Sequence, residues 1–239
     1  ERPRLLHIVV AVAIAFVPLA FMSNQLFTLV AQPLIEKLPE GTSIIATSVV
    51  APFMTPLKLS LIAAIFVAMP YILYQAWSFV APGLYRHEKR FALPLFVSSV
   101  LLFYVGVAFA YYVVFPLMFS FLTATAPTGV RMMTDMANYL DFTLLLFFAF
   151  GIAFEMPVAT VLLVATGLVK VESLRKNRGY VLLGIFVVAA FLTPPDAISQ
   201  TFMAVPMYIL YELGIVLSQL LTRRRAADRA AADATQSSD

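Results

Sequence analysis

Cysteine is absent, so neither a disulfide nor a thiolate metal site can hold any part of this chain. Histidine is scarce. Only His7 and His87 occur, and Phe91 stands where a zincin helix opening at His87-Glu88 would need its second histidine. The sequence has no Gly-rich Lys-Ser/Thr phosphate loop and no Gly-x-Ser-x-Gly elbow, so neither of those chemistries is expected. No internal repeat is visible, which counts against inverted-repeat carriers. The start carries no pattern of a cleavable signal peptide, because the first apolar run is too long and lacks a small-residue cleavage site. The chain opens on Glu1 rather than Met, and the expectation is that some native N-terminus is missing. What remains is a protein expected to be no enzyme and to need no cofactor or metal, its energy coming from a partner or the membrane potential.

Charge is also sparse, at 12% of residues, while 62% are hydrophobic and the mean hydropathy is +0.91. A soluble surface cannot cover that composition, so the lipid bilayer is the expected surrounding and nucleic acid is not an expected partner. Hydropathy marks six spans, at 5–30, 57–81, 91–123, 139–169, 179–193 and 198–221. The third and fourth exceed a span and are expected to tilt or project. The fifth is short: from Tyr180 to Leu192 a helix rises only about 20 Å against a core of about 30 Å, so the bilayer thins there or the helix dips and returns.

Orientation follows from the basic residues. Arg2, Arg4, Arg86, Lys89, Arg90, Lys170, Arg175, Lys176, Arg178, Arg223, Arg224, Arg225 and Arg229 share one side, which is 13 of the 16; Lys37, Lys58 and Arg131 lie on the other. The positive-inside rule then places both termini and the loop at 82–90 in the cytoplasm. Outside lie 31–56, with a short amphipathic helix expected around 26–38, then 124–138 and the turn Thr193-Pro194-Pro195-Asp196. Residues 1–223 read as the membrane domain and 224–239 as a small, polar, disordered cytoplasmic tail.

The densest polar island is Pro82-Gly83-Leu84-Tyr85-Arg86-His87-Glu88-Lys89-Arg90, with Pro82-Gly83 ending the helix before it. Glu88 has two readings here. It is either a carboxylate at the N-terminus of the next helix, neutralised by Arg86 and Lys89, or a receptor for an incoming arginine. One exposed pair contributes only about 0–1 kcal/mol, so specificity needs a second pair or shielding by Phe79 and Tyr85. Glu155 sits inside an apolar segment, either hydrogen-bonded within the bundle or lining a polar face, and Pro157 frees a carbonyl one turn earlier. Thr193, Asp196 and Gln200 cluster at the outer turn, where Asp196 either caps a helix or helps dock a partner. Glu212, one turn from Tyr208, reads as an internal hydrogen-bond partner. Pro70, Pro116, Pro157 and Pro206 are expected kinks that shape a concave bundle.

The chain closely resembles the TatC family, the core subunit of the twin-arginine protein translocase. Its carriers are Ala-Thr-Ser-Val-Val-Ala-Pro-Phe at 46–53, Tyr-Gln-Ala-Trp-Ser-Phe-Val-Ala-Pro-Gly-Leu-Tyr at 74–85 with Glu88, Ala-Phe-Gly-Ile-Ala-Phe-Glu-Met-Pro at 149–157, and Leu-Thr-Pro-Pro-Asp at 192–196 with Ser199-Gln200. The resemblance implies a cupped, all-α bundle of six transmembrane helices, the fifth and sixth short, in the bacterial inner membrane. It also implies a receptor for twin-arginine signal peptides of folded cargo, partnered by TatA- and TatB-type single-span subunits and other TatC copies. By the same resemblance Glu88 meets one arginine, with Phe79 beside it, and Pro33 belongs to a functionally sensitive outer loop. Glu155 then lines the concave face, and Thr193 and Gln200 belong to a docking patch. Arg2 fits the arginine of the family's Glu-Leu-Arg motif, while Glu1 falls on its leucine position; the expectation is a trimmed glutamate or an altered start. The reading from another class is a proton-coupled carrier that titrates at Glu155.

Overall fold

A computed structural model describes residues 2–35, 44–80, 89–125, 133–193 and 197–236. Among them are ten α-helices and no strand. They are α1 (Arg2–Phe21), α2 (Ser23–Ile35), α3 (Ala51–Val80), α4 (Lys89–Phe109), α5 (Phe115–Thr125), α6 (Met136–Ala153), α7 (Met156–Ala165), α8 (Val171–Lys176), α9 (Arg178–Leu192) and α10 (Ala197–Gln236), with a π-helical turn Ala110–Val114 joining α4 to α5. Helices prevail because lipid offers no hydrogen bonds, so each segment must satisfy its own backbone.

Four stretches among the described residues are long and apolar enough to cross a membrane: Ala51–Ser78, Leu93–Phe121, Met136–Ala165 and Ala197–Arg223. A fifth is possible only as the pair Leu5–Phe21 and Ser23–Gln32, which bends by 83°. Hydropathy had marked 5–30 as one run; the break falls at Met22, and α2 matches the amphipathic helix expected around 26–38. At the corner the Leu19 carbonyl accepts from the Met22 amide at 3.1 Å and from the Ser60 hydroxyl of α3 at 3.0 Å. Helix α9 has 15 residues, about 22 Å, so the short fifth segment stays short. The tail also differs from expectation. Helix α10 continues to Gln236 through six alanines (Ala226, Ala227, Ala230, Ala231, Ala232, Ala234), the best helix former, with no glycine or proline to stop it.

The chain forms two compact units, Glu1–Phe79 with Phe103–Gly151, and Val80–Leu102 with Ile152–Asp239. The first is built on aromatic rings. Phe66 meets Phe148 at 4.8 Å and Phe103 at 5.7 Å, while Phe115 stacks on Phe119 at 5.3 Å and meets Tyr139 edge-on at 5.9 Å. Such pairs add about 0.5–1.5 kcal/mol each beyond burial. Outside the helices, Asp135 clasps the segment at 44–50. Its carboxylate accepts from the Thr47 hydroxyl at 2.8 Å, the Thr47 amide at 3.1 Å and the Asn138 amide at 3.1 Å, capping α6 as it does so. Those hydrogen bonds, the Thr47 hydroxyl foremost, hold the Asp135 carboxyl below the usual carboxylate range, so the clasp is ionised at neutral pH.

Two prolines in this unit each remove a backbone N–H, and each freed carbonyl finds a tyrosine. Pro70 cannot donate to Phe66, four residues back, and the Tyr104 hydroxyl donates to that carbonyl at 2.8 Å. Pro33 likewise deserts Leu29, whose carbonyl accepts from the Tyr111 hydroxyl at 2.8 Å. Tyr104→Phe is expected to cost about 1–3 kcal/mol, because it strands a carbonyl in an apolar setting. In a Pro70→Ala background the N–H returns and the penalty falls toward zero. Equal penalties in both backgrounds, measured by thermal unfolding in detergent, would refute the pairing.

The second unit is organised around α10, which packs on α7 and α9. Val171, Tyr211 and Ile215 are its fully buried centre, with Met156, Val164, Leu174 and Val181 against them. Gly214 lets α10 approach α7 closely: a Cβ there would stand 2.0 Å from the Thr160 hydroxyl and 3.0 Å from the Pro157 Cα.

Candidate functional site

Glu155 lies where the long apolar run Met136–Ala165 breaks. Pro157 has no N–H and sits in the first turn of α7, the position where a helix tolerates proline best. The α-helical hydrogen-bond ladder is therefore interrupted at Phe154 and Glu155, with Glu155 still at φ −75°, ψ −14° and its amide bonding back only three residues to Ile152, at 3.0 Å. One carboxyl oxygen of Glu155, Oε2, accepts a short hydrogen bond from the Ser99 hydroxyl of α4. The other, Oε1, is buried without a hydrogen-bond partner among the described residues. A carboxyl group at membrane depth with an unsatisfied oxygen is costly to keep, and such groups mark functional positions in membrane proteins.

A second polar cluster ties α9 to α10. Arg178 donates to Glu212 Oε2 at 2.6 Å, and the Tyr208 hydroxyl donates to Glu212 Oε1 at 2.9 Å. Tyr211 donates to the Leu174 carbonyl at 2.8 Å, drawing α8 into the same joint. Glu212 thus is the internal partner that its spacing from Tyr208 suggested. Arg178 was not read from the sequence, though one signal was available. A cation in the first turn of a helix opposes the helix dipole, so it calls for a carboxylate nearby. Ser99 also went unread; its signal was a serine pair, Ser98-Ser99, inside an apolar helix.

Of the outer-turn residues, Thr193 is buried and its hydroxyl donates to the Ala189 carbonyl at 2.9 Å. Gln200 donates across the joint to the Phe186 carbonyl at 2.8 Å. Thr193 thus closes the last turn of α9 and Gln200 braces the α9–α10 corner, while Phe191, Ile198 and Phe202 carry its exposed apolar surface. Asp196, Tyr85 and Glu88 lie outside the described residues. Arg2, Pro33 and Phe79 fall in α1, α2 and α3, with side chains outside those described. Among the described residues no group of histidine or carboxylate side chains is gathered to hold a metal ion.

Apolar helices of this length, one of them broken by proline beside a half-satisfied carboxyl group, define a polytopic helical membrane protein. The family model for "Sec-independent protein translocase protein (TatC)" matches residues 2–206, and the chain belongs to that family. Over 223 residues it is 55% identical to the Sec-independent protein translocase protein TatC of Azotobacter chroococcum mcd 1, covering 93% of this chain and 88% of that one. The TatC of Escherichia coli K12 is 53% identical over 218 residues, 91% of this chain and 84% of its own length. A crystal structure of the twin-arginine translocase receptor TatC superposes with a TM-score of 0.82 at 37% identity, covering 92% of this chain and 97% of the other. The all-α, multi-span membrane fold class agrees with that likeness, and the protein is a component of a protein translocase. The carrier reading of Glu155 gives way to it.

Proposed function

We propose that this chain is the receptor and core subunit of a twin-arginine translocase. It binds signal peptides with paired arginines at the cytoplasmic face of the bacterial inner membrane, both termini lying on that side. The observation that carries this reading is the likeness, at a TM-score of 0.82, to the solved twin-arginine translocase receptor. Supporting it is the basic loop whose one carboxylate, Glu88, stands among Arg86, Lys89 and Arg90. A guanidinium meets a carboxylate through two parallel hydrogen bonds, which an ammonium cannot copy, so a lone acid in a basic loop discriminates arginine from lysine. In this reading Phe79, Tyr85 and Arg2 are further signal-peptide contacts. On the other side of the membrane, Thr193, Asp196 and Gln200 are the residues this reading assigns to docking of TatA- and TatB-type single-span subunits, and Pro33 is assigned to a functional outer loop.

Purified protein is expected to capture a twin-arginine peptide. Glu88→Gln, or a twin-lysine peptide, should weaken capture by at least about tenfold, roughly the loss of one shielded bidentate pair. Folding of Glu88→Gln should be unchanged. Unchanged capture would sink the receptor role of Glu88, and loss of folded protein would favour its capping role. Crosslinking from position 88 to signal peptide, and from 193–200 to single-span subunits, tests the two faces separately.

A further inference from the structure

Beyond peptide recognition, the second unit holds a cavity of about 590 Å³. It opens where two spans end, beside Ala165 at the close of one and Arg223 at the close of the other. Its shape comes from a sharp reversal after α7. Gly167 adopts φ +73°, a left-handed conformation that suits glycine, and its amide bonds back to the Val164 carbonyl at 3.1 Å. The chain then turns to bring Lys170 and α8 alongside the end of α10.

The lining has two chemistries. Lys170, Arg175 and Arg223 supply three cations, Gln219 adds a neutral hydrogen-bond donor, Thr222 lines the wall with its hydroxyl already given to the Ser218 carbonyl at 2.9 Å, and Glu172 is the single carboxylate of the lining, so the balance is two positive charges. Valines at 164, 169 and 171 form an apolar wall. The volume lies in the range of small-ligand sites, roughly 300–1,000 Å³. Basic pockets between helices at the membrane surface suit phosphate headgroups, since the charged group meets cations while the ester and chain roots rest on apolar wall. A plain run of surface charge would lack that wall and that concavity.

We propose that this cavity binds a phosphate group, carried by an anionic phospholipid at the membrane surface or free in solution. The net of two positive charges is enough to neutralise one phosphate, whether the single charge of a lipid phosphodiester or the larger charge of the free anion. The position at the span ends and the valine wall favour the lipid as its carrier.

The test uses the full chain in a mild neutral detergent, with short-chain phosphatidylglycerol and inorganic phosphate as separate probes, read by native mass spectrometry and by thermal unfolding. Saturable binding of one phosphatidylglycerol per chain is expected. Arg175→Gln should weaken it roughly tenfold, whereas Lys176→Gln, a cation on the same short helix that does not line the cavity, should leave it within about twofold. Melting of both variants without ligand should match the parent, which separates lost binding from lost fold. Protection by inorganic phosphate equal to that by the lipid, again lost in Arg175→Gln, supports the site and assigns the free anion as its ligand. Binding of neither probe, or equal losses in Arg175→Gln and Lys176→Gln, overturns the proposal.

Discussion

Gly214→Val is expected to be the most damaging single change in the second unit, lowering stability by more than about 3 kcal/mol. A Cβ at 214 would overlap the Thr160 hydroxyl at 2.0 Å and press the Pro157 Cα at 3.0 Å. Neither neighbour yields readily. The Thr160 hydroxyl is held by the Met156 and Pro157 carbonyls at 2.8 and 2.9 Å, and Pro157 is locked in the first turn of α7. Helices α7 and α10 would have to part, opening the packing around Tyr211 and Ile215. Gly214→Ala should do the same to a smaller extent, and Thr160→Ala in that background should restore part of the loss by removing the nearest atom. Thermal unfolding in detergent measures all three. A Gly214→Val protein as stable as the parent would mean that the two helices do not meet at this glycine.

The second large effect is expected at Glu155. Glu155→Leu removes the carboxyl group whose Oε1 is buried without a hydrogen-bond partner among the described residues and fills the space with an apolar side chain of similar bulk. Exchanging a half-satisfied buried polar group for an apolar one is close to neutral for stability, so the protein should fold. Ser99 loses its carboxyl partner, but a helical serine can turn its hydroxyl to a carbonyl of the preceding turn. Export of a folded reporter with a twin-arginine leader should nevertheless drop by roughly tenfold or more, because polar groups at membrane depth are retained for function. Peptide capture should stay intact. Glu155→Gln keeps an acceptor for Ser99 and should retain part of the export. Normal export by Glu155→Leu would reduce this carboxyl group to a packing element; lost capture would place it in recognition.

Much of the helical layout was legible because hydropathy is a property of composition, and lipid leaves helices as the sole economical form for such runs. What composition could not reveal were partners distant in sequence. The corner at Met22 falls inside the run marked at 5–30, its one local signal being the polar triplet Ser23-Asn24-Gln25, while the hydroxyl bonded there comes from Ser60, 41 residues beyond Leu19. Pro70 and Pro33 announced freed carbonyls, yet the tyrosines that answer them lie 38 and 82 positions from the residues they serve. Glu155 was visible as a lone acid in an apolar run, but Ser99 as its partner was not. Glu212 was placed correctly through Tyr208, a local spacing, while Arg178 required the fold of α9 onto α10. The small polar residues of 224–239 suggest disorder, while the alanines among them favour the helical continuation of α10 to Gln236.

The phenol–carbonyl contacts of the first unit have a mechanical consequence. Tyr104 and Tyr111 are seven positions apart, about two turns, so both hydroxyls leave one side of the same rod. One latches α3 at Phe66 and the other latches α2 at Leu29. Each contact is short-ranged and directional, so twisting that rod by a fraction of a turn unfastens both at once. The stretch from 104 to 111 therefore fastens α3 and α2 to one another, and loss of either phenol would leave only one of the two held.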